Sequence, residues 1–188
     1  MAAPLLRGAN VALTREIPSL TGVVLGIRWQ AGNDAALSDN LVAAAMLCDA
    51  SGNVVSDRHL VFFNQLVSAD ASVAQLQKLV GDDDEQIEVD LANVPADVDR
   101  VVIILYLNDG SPAKRTLGQL RSCVLRVLNL SDNAELVRSE DLAPAFTTET
   151  SMILGQMYRH STGWKFKVIG QGSSTGLRGI AETHGLQL

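Results

Sequence analysis

Apolar and polar positions alternate with a period of two in three stretches of this chain. Val23, Leu25, Ile27 and Trp29 share one face of the first stretch, with Val24, Gly26, Arg28 and Gln30 on the other. Ile87, Val89 and Leu91 alternate with Gln86, Glu88 and Asp90, and Trp164, Phe166 and Val168 alternate with Lys165 and Lys167. Successive side chains of a strand point to opposite faces, so each stretch predicts a half-buried β-strand. Residues 42–48, 60–63, 98–107 and 123–128 are largely apolar runs and predict strands covered on both sides.

Turn chemistry separates these runs. Asp49-Ala50-Ser51-Gly52-Asn53 reads as a hairpin loop, and Asn108-Asp109-Gly110-Ser111-Pro112 as a second. Ser131-Asp132-Asn133 and Ser161-Thr162-Gly163 mark two further reversals. Helical spacing is confined to three places. Residues 72–80 carry Val73, Leu76, Leu79 and Val80 on one helical face. Residues 116–121 suit a turn or two capped by Thr116, and Ser174 or Thr175 can cap a last helix burying Leu177, Ile180 and Ala181. Many short strands with few helices predict a mainly β fold, a two-sheet antiparallel β-sandwich, as a single domain over 1–188. Its expected core includes Val23 or Val24, Leu25, Ile27, Trp29, Phe62, Val89, Ile103, Leu125, Trp164 and Phe166.

Composition narrows the partners. A net charge of −6 argues against a nucleic-acid backbone or an anionic membrane surface, and makes a cation the more natural small partner. No apolar run approaches the roughly 18 residues that span a bilayer, and the first residues do not read as a signal peptide, so the cytoplasm is the expected location. The two cysteines, Cys48 and Cys123, lie in apolar runs and read as buried free thiols.

The densest like-charge cluster is Asp82-Asp83-Asp84-Glu85, directly before a predicted strand. Adjacent carboxylates repel unless solvent or a cation compensates, and hard cations such as calcium take six to eight oxygen ligands. The run lacks the alternating spacing of an EF-hand, and on charge alone a solvated loop is the simpler reading. His59, His160 and His184 are widely separated and form no zinc-type spacing with the cysteines. No nucleophile elbow and no phosphate-binding loop ending in Lys-Ser/Thr occurs, so no catalytic residue is assigned and no enzyme is expected. The glycine-rich Gly170–Gly176 segment reads as a strand-to-helix hinge. Lys114 and Arg115 are too few for a nucleic-acid patch.

An ordered set of short segments goes further. Leu6-Arg7-Gly8-Ala9-Asn10-Val11-Ala12-Leu13-Thr14, Phe62-Phe63-Asn64, Gly81 through Ile87, and Val94-Pro95-Ala96-Asp97-Val98 occur in that order. Glu149-Thr150, Tyr158-Arg159-His160, Trp164-Lys165-Phe166 and Gly170-Gln171-Gly172 follow. Together they resemble the TerD family of bacterial tellurium-resistance and stress proteins along nearly the whole chain. That resemblance implies a cytoplasmic β-sandwich, partners among other proteins of the tellurium-resistance and stress system, and calcium held by acidic loops at one end of the sandwich. On this chain Asp83, Asp84 and Glu85 remain of the implied metal ligands, with Asn64 as a neutral one, and Asp82 is an added carboxylate that joins them as a candidate ligand. The family's Asp-Leu-Asp-Ala-Ser-Ala segment is here Asn40-Leu41-Val42-Ala43-Ala44-Ala45, which removes two strand carboxylates and a hydroxyl. The glycine-rich loop typical of the family before the acidic run is here Gln75-Leu76-Gln77-Lys78-Leu79-Val80, which has a helical look. Calcium binding is therefore expected to be weakened or lost; the alternative is a functional calcium-binding module.

Overall fold

In the computed structural model, which describes residues 3–108 and 114–188, two antiparallel sheets face each other. Along the chain run β1 (Asn10–Val11), α1 (Leu13–Glu16), β2 (Val23–Gln30), α2 (Ala35–Asp39), β3 (Leu41–Cys48), β4 (Leu60–Val61), β5 (Val73–Gln75), β6 (Glu85–Val89) and β7 (Arg100–Leu107). There follow β8 (Ser122–Asn129), β9 (Glu135–Arg138), β10 (Ser151–His160), β11 (Gly163–Ser173) and α3 (Gly176–Thr183). One sheet has six strands in the order β1-β11-β10-β7-β3-β4; the other has five, β5-β6-β2-β8-β9. The strand at each open edge is short, with two residues in β1, two in β4, three in β5 and four in β9.

The sandwich interior is built from the alternation seen in the sequence. Val23, Leu25, Ile27 and Trp29 of β2 meet Ala43, Ala45 and Leu47 of β3, Ile103 of β7 and Phe166 of β11 in one buried cluster. A second cluster lies on the outer face of the six-stranded sheet, where α3 lays Leu177, Ile180 and Ala181 over Ala44, Met46, Cys48, Val102 and Ile104. This explains why β3 and β7 are apolar on both faces. Each fully buried aliphatic side chain contributes about 1.5–3 kcal/mol relative to exposure.

Most expected elements are present, with shifted ends. The 98–107 strand begins at Arg100, the 87–91 strand runs from Glu85 to Val89, and Leu91 opens a 3₁₀ turn. Thr116 and Gln119 close a capping box on the 3₁₀ turn Leu117–Gln119. Asp49 accepts hydrogen bonds from the backbone N–H groups of Ser51 and Asn53, forming the expected hairpin loop. The glycine-rich segment differs from a simple hinge: β11 continues through Ser173, and Gly170 (φ 66°) and Gly176 (φ 68°) adopt left-handed backbone. The last helix forms where expected, although Thr175 makes no side-chain cap. Of the expected core, Phe62 alone is half-buried, packed against the cluster beneath α3. The turn expected at Asp109 to Pro112 lies outside the described residues.

The predicted helix at 72–80 is corrected. Val73–Gln75 is the edge strand β5, paired with β6, and no helix follows it. Backbone partners decide this. Gln75 N–H donates to Leu66 C=O and Leu76 N–H to Gln86 C=O, while the buried Gln86 amide brackets both the N–H and the C=O of Val80. With those groups satisfied by neighbouring segments, little hydrogen bonding is left for a helix to gain.

Candidate functional site

The acidic run begins after a turn at Gly81, whose φ of 76° suits glycine. It leads into β6, which begins only at Glu85, so Asp83 lies in the turn before the strand and is not bound by its alternation. Glu85 pairs in register with Ile27 and lies on the interior-facing side of the strand with Ile87 and Val89. Asp83 lies on the opposite, outer face, above Gly26 and beside Arg126. A Cβ at Gly26 would collide with the Asp83 carboxylate, so the glycine in the middle of β2 makes the space the aspartate occupies.

Asp83 is 5% exposed and fully engaged. Arg126 donates to it in bidentate fashion, Nε to Oδ1 at 2.9 Å and Nη2 to Oδ2 at 2.7 Å. Gln86 Nε2 donates to Oδ2 at 2.8 Å, and Arg28 Nε lies 3.8 Å from Oδ1. Arg126 also bridges to Glu135 at 3.0 Å, which in turn accepts from Arg138 at 2.9 Å. The hydrogen bond to Asp83 raises the Arg126 pKa above its ordinary value. Burial opposes ionisation of Glu135, but the bonds from Arg138 and Arg126 outweigh it and hold that carboxyl below its usual range. This is a charge network on the outer face of the five-stranded sheet, in which both oxygens of Asp83 already accept hydrogen bonds.

The other members of the run are differently placed. Asp84 is exposed; its Oδ2 accepts the Trp29 N–H at 2.8 Å. Glu85 accepts from Gln75 Nε2 at 2.8 Å. Burial pushes the Glu85 carboxyl upward, the Gln75 bond lowers it less, and the nearby Asp84 charge adds to the rise. Asp82 is exposed, as is Asn64 in the turn that joins Phe62 to Gln65. Asp84 and Glu85 border an open groove of about 360 Å³ whose apolar wall is Phe63, Leu66, Leu76 and Leu79. Asn64 does not line it. The four carboxylates expected to share one ion are thus split between two faces of a sheet, and among the described residues no three His, Cys, Asp or Glu side chains are grouped as metal ligands.

Two glutamines missed in the sequence are central here. Gln86 is buried and ties the acidic loop to Asp83. Gln75 holds Glu85, and its own Oε1 is buried without a hydrogen-bond partner. Reading residues 72–80 as a helix hid Gln75 from view; Gln86 carried a signal as a polar residue inside a strand before an acidic run. The Asn40 and Val42 positions belong to the six-stranded sheet instead. Asn40 donates its amide to Ala36 C=O at 2.7 Å, and Val42 packs into the outer cluster of that sheet.

The remaining candidates take structural places. His59 meets Ser56 Oγ at 2.7 Å and Asp70 at 3.5 Å, His184 meets Ile180 C=O at 2.7 Å, and His160 is exposed at the end of β10. Both thiols are free and buried, and burial pushes each up to about 12. Arg115 donates to Asp34 at 2.9 Å. Among the described residues no helix is long and apolar enough to cross a membrane.

Comparison with known proteins follows from this geometry. The TerD domain matches residues 1–184. The chain belongs to the TerD family. It is 34% identical to the tellurium resistance protein TerD of an Alcaligenes species, across 99% of this chain and 98% of that one. It is 36% identical to general stress protein 16U of Bacillus subtilis, with both chains covered in full. A crystal structure of a TerD homologue from Streptomyces coelicolor A3(2) superposes with a TM-score of 0.67 at 15% identity, covering 90% of this chain and all of the other, which supports the fold alone. Within a TerD domain, the division of the acidic run across a sheet is the feature that bears on metal chemistry.

Proposed function

We propose that this TerD-family chain is a non-catalytic binding module of the tellurium-resistance and stress systems in which calcium binding is weak or lost. One observation carries the reading: Asp83, the centre of the acidic run, is neutralised by Arg126 and Arg28 and turned to the far face of the sheet. A cation at the groove is left with Asp84, Glu85 and neutral oxygens, fewer charged ligands than the family pattern supplies. Sites with few charged ligands fall toward about 10⁻⁴–10⁻³ M for calcium. The non-catalytic part rests on the thiols, whose raised pKa suppresses the nucleophilic form. The setting we infer is the cytoplasm, which suits two unpaired cysteines. The partners we infer are other proteins of the same system.

A second reading, a working calcium site, draws on the orphaned Gln75 Oε1 and on the Glu85 carboxyl, raised by burial and crowded by Asp84. A bound cation would satisfy the first and relieve the second. Calorimetric titration of chelator-treated protein separates the readings. We expect no heat at micromolar calcium and at most weak, saturable binding near millimolar, reduced by Glu85→Gln. A micromolar isotherm would establish the second reading instead. Placing aspartate at Asn40 and Val42 should leave affinity unchanged, because Val42 packs beneath the six-stranded sheet's outer cover.

A further inference from the structure

Away from the acidic run, a corner of the sandwich gathers positive charge. Thr14 of α1 accepts the Trp164 N–H at 2.7 Å, which seats α1 against the start of β11. Gly163 permits this approach, since a Cβ there would strike the Thr14 hydroxyl. The seat places Arg15 beside the hairpin that joins β10 to β11. Tyr158 faces Lys165 in register, so His160, two residues further along β10, is the diagonal neighbour of Lys165 on the outer face. Arg15, His160 and Lys165 line a concave pocket of about 490 Å³, completed by the side chains of Thr14, Ser161 and Thr162.

No Asp or Glu is among the described residues that line it. Arg15, His160 and Lys165 take part in none of the ion pairs among the described residues. Glu16, next to Arg15 on α1, is exposed and outside the lining. A further positive charge, that of Arg159, lies against Trp164, which also lines the pocket. The Arg159 guanidinium stacks 4.5 Å from the centre of the Trp164 ring and donates to the carbonyls of Val98, Val94 and Pro95, with no carboxylate partner among the described residues. Carbonyl dipoles orient that charge without cancelling it. A concave, hydroxyl-lined site with uncompensated positive charge is unusual on a chain of net charge −6. Like-charged side chains held together without a counter-charge repel, and an anion at their centre relieves that cost.

We propose that this pocket binds a dianionic oxyanion group, held by Arg15 and Lys165 with the hydroxyls of Ser161 and Thr162 as donors. The volume exceeds that of a free phosphate, so the group is one carried on a small organic molecule, a phosphomonoester. This goes beyond the calcium reading and concerns a different corner of the molecule.

The test is a titration of ¹⁵N-labelled protein with sodium phosphate and, separately, with glycerol phosphate, against sodium chloride at matched ionic strength. Saturable shifts confined to the amides around Thr14, Arg15 and 160–165 are expected for both phosphates and not for chloride. Tighter binding of glycerol phosphate identifies a phosphomonoester; equal or weaker binding assigns the pocket to a free oxyanion. Arg15→Gln and Lys165→Gln should each weaken binding about tenfold, the effect of one charge-assisted contact. Lys114→Gln, a basic residue elsewhere, should have no effect. Chloride shifts equal to those of phosphate, or unchanged binding in the Arg15 and Lys165 variants, would overturn the proposal. Arg15 is exposed and Lys165 half-buried on the outer face, so dispersed spectra are expected to show both variants folded.

Discussion

The outer face around Asp83 and the corner around Arg15 both concentrate charge, yet they are opposite kinds of site. Around Asp83, every charged group has a partner: Arg126 with Asp83 and Glu135, Arg138 with Glu135, and Arg28 within 3.8 Å of Asp83. Around Arg15 the charges share one sign and face an open cavity. The first region spends its charges on holding a loop against a sheet, while the second leaves them available. The family resemblance, not the count of charges, pointed to the acidic run as the place for a ligand. Which charges are already satisfied is decided by where the turn before β6 aims each side chain and by what lies opposite, and on that criterion the basic corner has more to offer.

The contrast can be broken most severely at Asp83. Asp83→Asn should cost about 3–5 kcal/mol, because it leaves Arg126 partly buried against a neutral group. That is comparable to truncating the fully buried ring in Phe166→Ala. Urea unfolding midpoints measure both, and a loss under about 1 kcal/mol for Asp83→Asn would place its carboxylate in solvent. Next in size is Gly26→Ala, which inserts a methyl into the space of a carboxylate fixed by three donors; about 1–3 kcal/mol is expected from overpacking. Should it prove neutral, Asp83 is free to move aside.

A smaller effect is expected from pH. Glu135 titrates below its ordinary value when folded, so its contribution is fully present above about pH 4.3, the unfolded value. It is lost as pH falls through the lower folded value. In thermal melts from neutral to acid pH, Glu135→Gln should therefore lose less stability over that interval than the wild type. Parallel pH dependence of the two proteins would show that the Arg126–Glu135–Arg138 contacts are not formed in solution. The smallest change belongs to the basic corner. Arg15→Gln with Lys165→Gln should alter stability by no more than about 0.5 kcal/mol, since neither has an ion-pair partner to lose among the described residues. Stabilisation on removing them would indicate that their mutual repulsion is felt even without an anion.

Much of the sandwich was legible because alternation is a direct imprint of a two-faced sheet: Val23 to Trp29 and Trp164 to Val168 point inward as their spacing requires. The apolar runs at β3 and β7 also read correctly, although the helix that covers their second face lies more than 60 residues further along the chain. Residues 72–80 misled because Val73, Leu76, Leu79 and Val80 satisfy helical spacing, while the hydrogen bonds that decide the matter come from Leu66 and Gln86. The arrangement of the acidic run was hidden for a related reason. Its composition is local, but the fate of Asp83 depends on Arg126, 43 positions away, and on a glycine in β2. Arg15, His160 and Lys165 are likewise ordinary surface residues in sequence and become a pocket only through the Thr14 contact.

The short strands at the sheet margins have a consequence for life under stress. A long open edge presents unpaired backbone donors and acceptors that invite a neighbouring molecule to add on, the first step toward fibrils. Here β1, β4, β5 and β9 offer only two to four residues each. Of the two longest strands, β10 is paired along both sides, by β11 and β7, whereas β11 pairs on its outer side with β1 only at Phe166 and Lys167. When chemical damage raises the population of partly unfolded proteins, these short margin strands themselves give little template for co-aggregation with them.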